Sequence, residues 1–175
     1  MTRNLTIALA SLAALSACTT LGEVPAKRVA SGTFHLANGL PAGTAVITAT
    51  ADRLTLTLAA TGLTSGAHGV HLHMVGKCEA PGFTTAGGHL NPAGHQHGTN
   101  NPAGSHLGDL PNLTIDSQGR GVLSAQIGGS PSEAEAALFD GDGTAIVIHA
   151  APDDYKTDPS GNSGERIACA VLKRV

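Results

Sequence analysis

Arg53-Leu54-Thr55-Leu56-Thr57-Leu58 alternates without a break. The leucines fall on one face, and Arg53 and the threonines on the other. This is the pattern of a half-buried antiparallel strand. Working outward, residues 29–36 and 45–50 read as weaker strands, with Asn38-Gly39 and Pro41 marking the turn between them. A strand over about 68–75 is expected after Gly66. Gly119-Arg120-Gly121 separates 113–116 from 122–127, the pattern of a hairpin. Residues 145–149 and 166–174 complete the set, and 132–139 suits one or two helical turns. Eight short strands with glycine-rich turns point to an all-β sandwich or barrel.

Two stretches break this rhythm. Residues 76–111 are rich in Gly, Pro, Asn and His and have no period; residues 150–165 are similar but acidic. Connections this long in a compact domain are usually functional or disordered. The chain has 175 residues, enough for one domain. With three Phe, one Tyr and no Trp, its core must be built from aliphatic side chains. Such a core is thin, and a disulfide or bound metals would reinforce it.

The N-terminal segment stands apart. Arg3 precedes an apolar run at 5–17, too short to span a bilayer comfortably and suited to a secretory signal. The run ends in Leu15-Ser16-Ala17-Cys18, which resembles the bacterial lipobox, where the signal is cut before a cysteine that is then acylated. The alternative is an ordinary cleaved signal followed by an incidental cysteine. The expected organisation is a signal at 1–17, a lipid-anchored tether at 18–29 and one soluble domain at 30–175. Setting 1–17 aside removes only Arg3 among the charges and leaves nine Lys and Arg against thirteen Asp and Glu. There is no basic run or aromatic platform, which argues against nucleic acid as a partner. A small anionic substrate stays possible, because local field matters more than net charge.

Cys78 and Cys169 remain once Cys18 is assigned. Export implies an oxidising compartment, so a disulfide is the first reading. It would close a loop of about 90 residues, for which chain entropy gives about 4–5 kcal/mol. The rival reading makes one of them a metal ligand, although His and Asp supply a full set without them.

Seven of the nine histidines fall between His68 and His106: His68, His71, His73, His89, His95, His97 and His106. His35 and His149 lie on early and late strands. His71 and His73, two apart on a strand, project from one face while Leu72 points into the core. That is a two-toothed clamp on a rigid element. Imidazole suits copper and zinc, and a carboxylate added to three imidazoles suits zinc. Asp109, three residues after His106, is placed to supply it. A histidine-rich tract can also bind metal without specificity. For His35 and His95 an ordinary surface or core role is the preferred reading.

For the remainder the spacing decides. His71-Leu72-His73, then His89, His97, His106, Asp109 and His149 resemble the ligand pattern of the copper/zinc superoxide dismutase family. The flanking words agree: Gly69-Val70-His71, Ala86-Gly87-Gly88-His89-Leu90-Asn91-Pro92, Gln96-His97-Gly98, Ile148-His149 and Gly164-Glu165-Arg166-Ile167-Ala168-Cys169. The resemblance covers about 29–175. It is nearest the bacterial branch, with a longer insert between Cys78 and His89 and the run Gly108-Asp109-Leu110-Pro111-Asn112.

The resemblance implies an eight-stranded Greek-key β-barrel with long metal-binding and active-site loops. It makes His71, His73, His89 and His149 copper ligands, and His89, His97, His106 and Asp109 zinc ligands. Arg166 would flank the open copper position and Cys78 would pair with Cys169. His68 would bond backbone near copper, and the Asp153 carboxylate would hold one copper and one zinc histidine. The implied activity is dismutation of superoxide to dioxygen and hydrogen peroxide by redox-cycling copper, with His89 and Arg166 catalytic and Lys156 a second steering charge. The implied setting is a periplasmic lipoprotein, membrane-bound only through its lipid, as a homodimer or monomer. Met74 stands where the family has Glu, and Val70 and Leu90 where it has aromatics; these departures bear on packing near copper and on rim electrostatics. The alternatives are a copper- or zinc-binding envelope protein without turnover, and a structural protein that kept the fold.

Overall fold

Leu54, Leu56 and Leu58 are buried while Thr57 is exposed, as the alternation requires. The computed structural model describes residues 25–175; the expected signal, Cys18 and the first part of the tether lie outside the described residues. The strands are β1 (Lys27–Leu36), β2 (Pro41–Ala49), β3 (Leu54–Thr61), β4 (Gly66–His68) and β5 (Val70–His73). They continue with β6 (Leu113–Ile115), β7 (Arg120–Ile127), β8 (Ala145–His149), β9 (Arg166–Val171) and β10 (Lys173–Arg174). One helix, α1 (Pro131–Leu138), lies between β7 and β8.

Eight strands form one curled antiparallel sheet in the order β5-β8-β9-β1-β2-β3-β7, with β10 also pairing β1. β4 and β6 form a small second sheet. The β8–β5 and β9–β1 neighbours are far apart in sequence, the interleaving expected of a Greek key. The concave side holds Phe34, Ile47, Leu54, Leu56, Leu58 and Leu72 in one aliphatic cluster. β8 is buried along its whole length because it serves two clusters. Ile146 and Ile148 join the main one, whereas Ala145 and Val147 join a smaller one with Phe83, Ala86 and Cys169. The Cys78–Cys169 disulfide closes that second cluster and ties the loop after β5 to β9.

Four local expectations are corrected. The strand expected over 68–75 breaks at Gly69, leaving His68 in one sheet and His71 in the other. Gly69 bonds Ala151 and His149 through its own backbone, and a Cβ there would meet Ser163 Oγ at 2.7 Å. The Asp116–Arg120 turn exists, but its arms do not ladder with each other; β6 pairs with β4 and β7 with β3. The strand expected over 166–174 divides at Leu172, whose N–H turns to Thr144 O. The helix begins at Pro131, one residue earlier than expected, because Ser130 and Glu133 cap its start reciprocally.

Candidate metal centre

β5 carries Val70 and Leu72 into the core, so His71 and His73 point together from its other face. A register shift between Ile148 and His149 at the end of β8 sets His149 opposite Arg166 on β9. Such irregularities re-aim a side chain without disturbing the ladder elsewhere. The loop between β5 and β6 then folds back and brings His89 beside His73. The outcome is a buried group in which one ring nitrogen from each of His71, His73, His89 and His149 lies within 4.8 Å of the others.

The proton positions in this group follow from the partners of each ring. His73 Nδ1 donates to Gly87 O at 2.9 Å, and His149 Nδ1 to Gly164 O at 3.1 Å. His71 Nε2 donates to Asp153 Oδ2 at 2.9 Å. A neutral imidazole with one nitrogen donating has a lone pair on the other. Those others are His71 Nδ1, His73 Nε2 and His149 Nε2; with His89 Nε2 they are buried and have no protein partner. Buried polar atoms are almost always satisfied, and four lone pairs converging without a donor call for a cation. Burial pushes the imidazoles of His73, His89 and His149 down, to about 2, about 4 and about 3, and lowers that of His71 against the pull of Asp153. All four are therefore neutral, ligating forms at neutral pH.

A second group sits on the far side of His89. Asp109 Oδ2 accepts the backbone N–H of Gly98 and of His106. That leaves Oδ1 facing the Nδ1 atoms of His97, His89 and His106 at 2.9, 3.1 and 3.2 Å. His97 already donates through Nε2 to Asp153 Oδ1 at 3.0 Å, so its Nδ1 turns a lone pair toward the carboxylate. Two lone pairs meeting at that distance again fit a cation between them. Burial alone would raise Asp109, but hydrogen bonds from the His89 ring and from Gly98 N–H outweigh it and hold the carboxyl well below its usual range. His71 also reaches this group, yet its free nitrogen faces the first group and its other one is taken by Asp153. The fourth donor is His106, whose Nδ1 lies 3.3 Å from His89 Nδ1. His89 alone faces both groups, Nε2 in one and Nδ1 in the other.

Arg166 lies half-buried beside His73 and His149 in a cleft of about 390 Å³. Its two terminal nitrogens donate to Phe83 O and Gly87 O, each at 2.7 Å. Asp153 is buried and spans the two groups through His71 and His97. His68 bonds His149 O and Thr64 O through its two ring nitrogens and faces neither group. His35 and His95 are exposed, and Lys156 is exposed and does not line the cleft. Val70 and Leu90 pack into the core, whereas Met74 is exposed. Sequence reasoning missed the carbonyls of Phe83, Gly87 and Gly164, which aim the arginine and two of the rings. It also missed Asn112 and Tyr155, whose bonds surround Asp153.

Comparison with known proteins matches residues 41–172 to the family described as copper/zinc superoxide dismutase (SODC). Copper–zinc superoxide dismutase 2 of Aquifex aeolicus is 47% identical over 106 residues, which cover 59% of this chain and 61% of that protein. The chain thus spans about three fifths of the length of the first curated relatives it matches, 61% and 62%. The copper–zinc superoxide dismutase of Caulobacter vibrioides is 37% identical over 148 residues, 82% of this chain and 85% of that one. The crystal structure of a SOD-like protein from Bacillus subtilis superposes with a TM-score of 0.76 at 35% identity, covering 82% of this chain and 97% of that one.

Proposed function

The chain belongs to the copper/zinc superoxide dismutase family, and we propose that it converts superoxide to dioxygen and hydrogen peroxide in a bacterial cell envelope. One observation carries this reading: four buried, converging imidazole lone pairs without a protein partner, on rings of which His73, His89 and His149 line a cleft shared with Arg166. His71 Nδ1, His73 Nε2, His89 Nε2 and His149 Nε2 would hold copper. His89 Nδ1, His97 Nδ1, His106 Nδ1 and Asp109 Oδ1 would hold zinc. When bound, copper supplies the electron chemistry by alternating between two oxidation states, which zinc cannot do.

The chain's own groups do the rest. Arg166 keeps a fixed positive charge at the cleft, attracts the superoxide anion and orients it. Its two carbonyl partners prevent the guanidinium from swinging away. His89 lines the cleft and turns both ring nitrogens into the two groups, so Nε2 is the atom that takes up a proton and gives it to the superoxide being reduced; the second proton of hydrogen peroxide comes from water in the cleft. Asp153 fixes the tautomer and orientation of His71 and His97. The disulfide fits an oxidising compartment. Together with the signal-like 1–17 and Cys18 it supports a domain over 30–175 held to a membrane by lipid alone.

The test is to load the chain beginning at Cys18 with zinc alone or with copper and zinc, and to measure bound metal and superoxide consumption. Consumption is expected only with copper present. Full occupancy of both sites without consumption would leave an envelope metal store and overturn the enzyme reading.

A further inference from the structure

The bonds around Asp153 form a closed set. Asn112, at the end of the loop between β5 and β6, clasps the backbone of Asp153 from across the fold. Its Oδ1 accepts Asp153 N–H at 2.8 Å and its Nδ2 donates to Asp153 O at 3.0 Å. The orientation of this amide is fixed, because a backbone N–H only donates and a carbonyl only accepts. Asn112 N–H in turn donates to the Tyr155 hydroxyl at 2.8 Å. Tyr155 N–H donates to Asp153 Oδ1 at 2.7 Å, the same oxygen that receives His97 Nε2. Tyr155 O accepts Asn100 N–H at 2.8 Å, and Gly98 passes so close to that carbonyl that no side chain would fit.

Tyr155 reaches this position with φ +62, a conformation a bulky residue adopts only when its surroundings impose it. Its hydroxyl, carbonyl and N–H are all engaged, and all by groups that flank the metal ligands. The strain thus sits where one residue joins two points of the β5–β6 loop to the carboxylate that spans both metal groups.

We infer that Asn112 and Tyr155 form a latch that positions Asp153 and so sets the joint orientation of His71 and His97. Neither touches the reacting atoms; both act through the carboxylate. The inference rests on the dismutase reading only for its purpose, since the latch would serve any pair of metals held by these ligands.

The experiment is a double-mutant cycle read on zinc alone, with copper and superoxide absent. Zinc affinity of the copper-free chain is measured by competition with a chelator for the wild type, Asn112→Ala, Asp153→Ala and the double variant. Asn112→Ala is expected to weaken zinc about tenfold, within the range of about 10–100-fold typical of groups that orient a ligand. In the Asp153→Ala background the same change should cost little further, because residues acting through one another are not additive. Tyr155→Phe, which removes only the hydroxyl, should lose several-fold, and Asn112→Asp, which keeps one bond of the clasp, should retain more affinity than Asn112→Ala. An equal loss in both backgrounds, or no loss in either, would overturn the latch. If Asn112→Ala does not fold, the cycle of Tyr155→Phe with Asp153→Asn decides in the same way. Failure of the dismutase reading would show instead as a loaded wild type that consumes no superoxide, whatever the cycle gives.

Discussion

At Gly161 there is no room for a side chain. A Cβ would fall 2.7 Å from His97 Nε2 and closer still to the Asp153 carboxylate, and φ is +62. Gly161→Ala should therefore separate Asp153 from His97 and weaken zinc retention by about tenfold, as read by chelator competition. Arg166 is the other residue whose removal has a specific signature. Arg166→Ala should slow superoxide consumption by roughly tenfold or more and flatten its decline with added salt, because a guiding charge is screened and an absent one is not. Salt dependence identical to the wild type would take Arg166 out of the steering role. Arg166 stands in a word visible in the sequence, and Gly161 stands in none. Imidazole and guanidinium announce their chemistry, and the spacing of His71, His73, His89, His97 and His106 did the same. Gly161 matters for what it lacks. Every residue has a carbonyl, so nothing local singles out those of Phe83, Gly87 and Gly164.

Among the elements, the loop between β5 and β6 depends most on a single bond. The disulfide anchors it at Cys78 to Cys169 on β9, and Phe83 and Gly87 on that loop hold Arg166. Cys78→Ser with Cys169→Ser is expected to cost about 2–5 kcal/mol of stability, measured by thermal or denaturant unfolding. Superoxide consumption should fall as well, because the carbonyls lose their anchor; a destabilised variant with undiminished consumption would separate the two. Strand alternation made β3 readable, and the Ser130–Glu133 spacing carried the true start of α1. The break at Gly69 was not readable, because the backbone partners that engage Gly69, Ala151 and His149, come from across the fold. The hairpin expected around Gly119 failed for a similar reason. Its turn is local, but the preference of β6 for β4 over β7 is decided by the whole sheet.

For the molecule as a whole, an all-β class was legible from short strands and turn residues, whereas the order β5-β8-β9-β1-β2-β3-β7 depends on partners distant in sequence. The buried rings also set how the metal-free protein responds to acid. An unfolded histidine titrates near 6.5, while those of His89 and His149 are held at about 4 and about 3 by burial. A depressed folded pKa means that protons favour the unfolded chain. Stability from these rings is complete above about 6.5 and drains away as pH falls toward the folded values. The melting temperature of the metal-free protein should thus be flat above about pH 7 and drop steadily below it. A melting temperature unchanged between about pH 7 and 5 would contradict the burial of neutral rings. The hydrogen-bond partners also fix how many protons leave when metals enter. His71, His73, His97 and His149 each store their proton on the nitrogen turned away from the metal groups, and His106, whose Nδ1 faces Asp109, has its Nε2 left to carry one. His89, with both nitrogens turned inward, has nowhere to store one. At about pH 8, where free imidazoles are already neutral, filling both sites should release a single proton. In calorimetric titrations the apparent heat should rise or fall with the ionisation enthalpy of the buffer with a slope of about one, a measurement of bridging that needs no substrate.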